Sequence, residues 1–113
     1  MKAVAHAVKE MTTIKEREIR PILDRVTGII RYHLPEQSFR ILLFGSWATL
    51  TSIPTSDIDV AILGDVPVDP LTMARIREEV EGLPTLRKVD VVDLWIVEER
   101  FRQSVMKRAE MLS

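Results

Sequence analysis

The chain has 113 residues, 46% of them hydrophobic and 29% charged, with a formal net charge of −1. That composition fits one folded domain, too short for a second independent one and too apolar for intrinsic disorder. The balanced charge gives no basic field for long nucleic acid, and the lack of cysteine excludes disulfides, thiolate metal sites and cysteine nucleophiles. The two histidines, His6 and His33, are a poor ligand set for zinc. No uninterrupted apolar run is longer than Ile41 to Phe44, far short of a bilayer span, and the first ten residues lack a signal-peptide core. A cytoplasmic protein with no membrane partner is expected.

In chain order, Ala3, Val4, Ala7, Val8 and Met11 recur at helical spacing, which predicts a short appended helix over residues 1–12. Thr13 followed by Glu16 has the pattern of a capping box and predicts a fresh helix start, opening a single domain over 13–113. Ile19, Ile22, Leu23, Val26, Ile29, Ile30 and Leu34 form a one-sided stripe that Pro35 ends, with Pro21 either kinking this helix or lying in its first turn. Residues 39–44 read as a buried strand running into the turn Gly45-Ser46. A polar stretch from Thr49 to Ser56 follows, then a strand over 57–63. Asp69-Pro70 is a helix start, and Gly82 and Pro84 stop that helix. Residues 89–95 read as a third strand. From Glu98 a last helix carries Phe101, Val105, Ala109 and Leu112 on one face. The fold expected is α/β (α+β), a small mixed β-sheet with helices packed on one side.

Asp57 and Asp59, two apart in a strand, project from the same face, while Ile58 and Val60 project from the other. Adjacent carboxylates repel each other unless a cation lies between them, and magnesium suits hard oxygen ligands supplied by acids and phosphates. Alone, Asp-x-Asp is common and more often describes two solvated acids at a strand start than a metal site. Gly45-Ser46 lies twelve residues ahead of Asp57. There glycine lets the backbone approach a ligand, and N–H groups and a hydroxyl can hold phosphate oxygens. Asp90 and Asp93 compete as a third acid, and their odd separation puts them on opposite strand faces.

The stretch Leu43-Phe44-Gly45-Ser46-Trp47-Ala48 through Ser56-Asp57-Ile58-Asp59-Val60 resembles the signature of the minimal nucleotidyltransferase (MNT) family of the polymerase β-like superfamily: Gly-Ser, ten residues, Asp-x-Asp. Residues 87–94, Arg-Lys-Val-Asp-Val-Val-Asp-Leu, resemble that family's third-carboxylate strand. The resemblance implies a nucleotidyltransferase-like fold and a division of labour. Asp57, Asp59 and Asp90 would be catalytic and ligate Mg2+, with two ions in the active complex. Asp90 would also assist deprotonation of the attacking hydroxyl. Gly45 and Ser46 would grip the terminal phosphates of ATP, and Asp93 would be structural. Where many members carry an arginine, a basic residue and a second glycine, this chain has Trp47, Thr49 and Leu50, with Arg87 and Lys88 as candidate replacements for the lost charge. Trp47 is expected to pack against a neighbour rather than stack on a base.

The resemblance also implies a function and a partner. The enzyme would move AMP from ATP to a hydroxyl on a HEPN-type helical protein, as the antitoxin of a toxin–antitoxin pair. Two other readings stand beside it: a non-catalytic subunit that neutralises its HEPN partner by contact, and a subunit that modifies a small-molecule hydroxyl. Retention of three acids argues against the contact-only reading, since unneutralised carboxylates near a core are costly. Met106, Met111 and the apolar N-terminal helix predict association, with itself or with a partner.

Overall fold

The computed structural model describes residues 2–113 and the side chains of residues 5–113. Its elements are α1 (Lys2–Ile14), a π-helical segment (Lys15–Ile19), α2 (Arg20–His33), β1 (Arg40–Phe44), α3 (Ser46–Thr49), β2 (Ile58–Leu63), α4 (Pro70–Glu81), β3 (Val89–Asp93), α5 (Glu99–Arg108) and β4 (Glu110–Met111).

α1 and α2 join through the π-helical segment, so the fresh helix start expected at Thr13 does not occur. Ile14 and Ile19 keep helical dihedrals, and nothing between Lys2 and Arg20 is a glycine or proline that would break the run. Thr13 Oγ1 donates back to Lys9 O at 3.0 Å, and Glu16 pairs with Arg20 at 3.0 Å instead of reaching back to a cap. The Arg20 N–H donates to Lys15 O, the i→i−5 bond of a π turn, just ahead of Pro21, which has no N–H of its own to place. Residues 5–10 are exposed; Ala3 and Val4, part of the expected stripe, lie outside the described side chains.

The sheet runs β3-β2-β1-β4: β1 pairs antiparallel with β2 and β4, and β2 pairs parallel with β3 across the α4 crossover. Alternation sorts the strand residues. Ile41, Leu43, Ile58, Val60, Ile62 and Val91 face α2 and α4, where Leu23, Val26, Ile30, Met73, Ile76 and Val80 complete the main core. Leu42 and Ala61 face the other way and meet Leu94 and Val105, the latter from α5. Asp69 caps α4 as expected, accepting Thr72 N–H at 3.2 Å with Pro70 in the first turn. Among the described residues no helix is long and apolar enough to cross a membrane.

The last helix ends at Arg108, so Leu112, expected on its face, lies instead beyond β4. The Leu112 N–H donates to Ile41 O at 2.7 Å and Ile41 N–H donates to Ser113 O at 2.9 Å. The open edge of β1 thus captures the tail, a demand for hydrogen-bond partners that helical spacing cannot reveal.

Glu110, beside that edge, ties the tail to the N-terminal helix. It accepts from Lys15 Nζ at 2.7 Å and from Arg20 at 2.8 Å, and Lys15 is itself buried. Burial pushes the Glu110 carboxyl up, but hydrogen bonds from Arg20 and Lys15 and their charges outweigh it, leaving it below its ordinary value. A depressed carboxylate stabilises the fold above its unfolded-state value and loses that contribution as pH falls through the folded one. Glu110→Gln, which leaves the Lys15 ammonium short of a counter-charge, is expected to cost about 2 kcal/mol at pH 7. It should also make the stability loss below about pH 4.5 shallower. Urea unfolding followed by circular dichroism between pH 3 and 7 measures both.

Candidate active site

The parallel register of β2 and β3 sets Asp59 directly across from Asp90, and the antiparallel register of β1 sets Phe44 across from Asp59. The three side chains therefore form a row on the α5 face of the sheet. Asp57 is exposed one residue ahead of β2, where Ile58 N–H donates to Lys88 O at 2.9 Å and starts the β2–β3 pairing. Asp59 is half-buried. Burial raises its carboxyl above the usual value first, the charges of Asp90 and then Asp57 raise it further, and Lys88 partly opposes them. Lys88 Nζ stands 3.9 Å from Asp90.

The donor set is all carboxylate, hard oxygen of the kind magnesium prefers, and the acids act on one another electrostatically, so a cation between them would relieve the repulsion. They are not drawn into a chelating knot: among the described residues no group of three or more His, Cys, Asp or Glu side chains is close enough to hold a metal ion. The chemistry of the set fits a divalent cation, whose binding would need the three side chains to draw inward.

Gly45 lies against Asp59. Its backbone takes φ 75° and ψ −158°, and a Cβ built there would overlap Asp59 Oδ2. Both facts demand glycine. Ser46 follows as the first residue of the short α3, half-exposed on the rim of a cleft of about 410 Å³ between this turn and α5. On the far wall Phe101 meets Phe44 edge to face, ring centroids 6.0 Å apart.

Trp47 is fully buried, and its indole N–H donates to Ser56 O at 3.0 Å. It packs, as expected, and joins the Gly-Ser turn to the residue before Asp57. Arg87 lies over the Trp47 ring at 5.7 Å, donates to Pro54 O and approaches Glu18 at 3.7 Å. It braces the loop between α3 and β2 and is not a free phosphate ligand. Asp93 is structural: buried, it accepts Val68 N–H at 2.8 Å and Trp95 N–H at 2.9 Å. His33 pairs with Glu79 between α2 and α4, and Trp95 is partly exposed. Leu50, at the family's second-glycine position, has left-handed dihedrals, φ 59° and ψ 30°, so the backbone keeps a glycine-like turn without glycine.

No motif in the sequence marks the α5 side of the cleft. Phe101, Ser104, Val105 and Arg108 share one helix face and line it. Their i, i+3, i+4, i+7 spacing was legible, but only Phe101 and Val105 stand out, because a mixed face reads as ordinary amphipathicity.

Residues 35–113 match the family model described as Polymerase beta, Nucleotidyltransferase, and the chain belongs to that family. Among solved structures it resembles a toxin–antitoxin crystallised with AMP-PNP, at 25% identity and TM-score 0.63, over 80% of this chain and 72% of that one. It is also similar to the complex of a tri-AMPylated Shewanella oneidensis HEPN toxin with its MNT antitoxin, at 21% identity and TM-score 0.61, over 83% and 71% of the two chains. The toxin–antitoxin MntA-HepT gives 22% identity and TM-score 0.61 over 83% and 71%. No curated protein matches by sequence. The fold is that of the MNT antitoxins, a nucleotidyltransferase fold.

Two outcomes are expected. Gly45→Ala should lose about 2 kcal/mol or more of stability by chemical denaturation, from backbone strain alone before its overlap with Asp59 is counted. A carboxyl whose folded value is raised contributes fully only below its unfolded value and loses that contribution as pH rises through the folded one. Asp59→Asn should therefore raise the thermal midpoint at pH 7 and leave it little changed at pH 3, where wild-type Asp59 is protonated. Differential scanning calorimetry at the two pH values checks this.

Proposed function

We propose that this chain is a magnesium-dependent nucleotidyltransferase that moves AMP from ATP to a hydroxyl on a HEPN-type partner protein, acting as its antitoxin in the cytoplasm. The observation that carries the reading is the register that sets Asp59 across from Asp90 and beside Gly45. The AMP-PNP and the tri-AMPylated HEPN toxin named in the solved relatives support the nucleotide and the acceptor class.

Asp57 and Asp59, with Asp90, would hold the metal; when bound, magnesium supplies neutralisation of phosphate charge and polarisation of the phosphoryl group. Gly45 and Ser46 hold the terminal phosphates through the close backbone approach and the serine hydroxyl. The acceptor oxygen attacks the α-phosphorus, the bond from that phosphorus to its bridging oxygen breaks, and pyrophosphate leaves with the electron pair. Asp90 takes the proton of the acceptor hydroxyl, and Trp47 positions the start of β2 through Ser56. Residues 13–113 serve as the catalytic domain and residues 1–12 as an appended helix. The exposure of Met106 and Met111 supports association through the α5 and β4 surface, with the partner or with a second copy.

The contact-only reading has one specific observation in its favour. Trp47, Thr49 and Leu50 leave the Gly-Ser turn without its own positive charge, and Leu50 holds a strained left-handed backbone in that turn.

Incubation with α-labelled ATP and magnesium, alone and with a HEPN-type protein, decides between them. Label is expected on the partner, abolished by EDTA and reduced at least about a hundredfold in Asp57→Asn/Asp59→Asn. Tight partner binding with no transfer would establish the contact-only subunit instead.

A further inference from the structure

The Gly-Ser cleft has a second wall, and that wall carries a charge. Ser46 and Thr49 line it from the turn side, Ser104 and Arg108 from α5. Among the described residues Arg108 is the one charged residue lining the cleft, with no carboxylate among its neighbours there. Among the described residues Arg108 takes part in no ion pair, whereas Arg20, Arg87 and Arg102 each do. The cleft adjoins the acids: Phe44 lines it and is the register partner of Asp59, and Gly45 lines it and touches Asp59.

We infer that Arg108 is a phosphate-binding residue for the terminal phosphates of the nucleoside triphosphate, with Ser104 beside it, supplying from α5 the positive charge that the turn after Gly45-Ser46 lacks. The inference rests on the nucleotidyltransferase reading above and assigns its leaving-group end. A carboxylate-rich centre repels a polyphosphate unless cations stand on the far side, and guanidinium is the side chain best matched to phosphate oxygens. Of the two sources for that charge suggested by sequence, Arg87 is engaged with Pro54 O, Glu18 and the Trp47 ring, and Lys88 stands 3.9 Å from Asp90 and does not line this cleft. In transfer, the charge that develops on departing pyrophosphate as the bond to the α-phosphorus breaks falls to Arg108, so its contribution depends on the β- and γ-phosphates. An arginine that merely complements the C-terminal carbonyls of α5 would be indifferent to them.

Isothermal titration of the full chain with ATP, AMP and pyrophosphate in magnesium buffer separates these roles. Arg108→Gln is expected to weaken ATP and pyrophosphate about tenfold, the loss of one charge-assisted phosphate contact, and to leave AMP within about twofold. Arg108→Lys should recover part of the loss. Arg108 is exposed, so both variants are expected to keep the wild-type thermal midpoint. Equal weakening of ATP and AMP, or no change in either, overturns the assignment while nucleotide binding by the wild type stands. A wild-type chain that binds no ATP overturns the assignment and the underlying reading together.

Discussion

Crowding of Asp59, by burial and by the charges of Asp90 and Asp57, is the constraint on which the candidate site depends. Asp59 and Asp90 lie side by side because β2 and β3 run parallel in a register that pairs them, and Gly45 has no side chain to keep Asp59 away. The fold bears the cost at Asp59, where burial and two neighbouring negative charges oppose ionisation and only Lys88 offsets them. A crowded, half-buried carboxylate of this kind marks a candidate functional site.

Much of the remaining structure holds that arrangement in place. The main core locks the faces of Ile58, Val60 and Ile62 against α2 and α4, which leaves the opposite face of β2 free to present Asp59. Trp47 and Arg87 brace the loop between the turn and the acids, the first through Ser56 and the second through Pro54. Asp93, three residues after Asp90, does the opposite work. It points into the protein and anchors the segment before α4 through Val68. Two aspartates on one strand thus have separate roles because strand alternation sends them to different environments.

The cleft beside the acids is asymmetric. Its turn side provides glycine, hydroxyls and backbone, and its α5 side provides an aromatic contact and Arg108. Under the proposed reading, Arg108 on the other wall would supply the positive charge that the turn lacks, while the position after Ser46 holds a buried tryptophan. Trp47 then contributes to the core, which a charged residue there could not.

The sequence by itself determined the mixed α/β fold, the strands that carry the acids, the glycine turn and the opposite facing of Asp90 and Asp93. Each of these follows from local periodicity, from glycine and proline, and from the two-residue alternation of a strand, all of which act between near neighbours. Tertiary structure alone decided the rest. Thr13 became mid-helix because no residue broke the run, and the tail became β4 because the edge of β1 needed partners. Arg87 became a brace and Arg108 a wall of the cleft because packing brought distant elements to them. Those outcomes depend on contacts between residues far apart in the chain, and such contacts leave no periodicity to read.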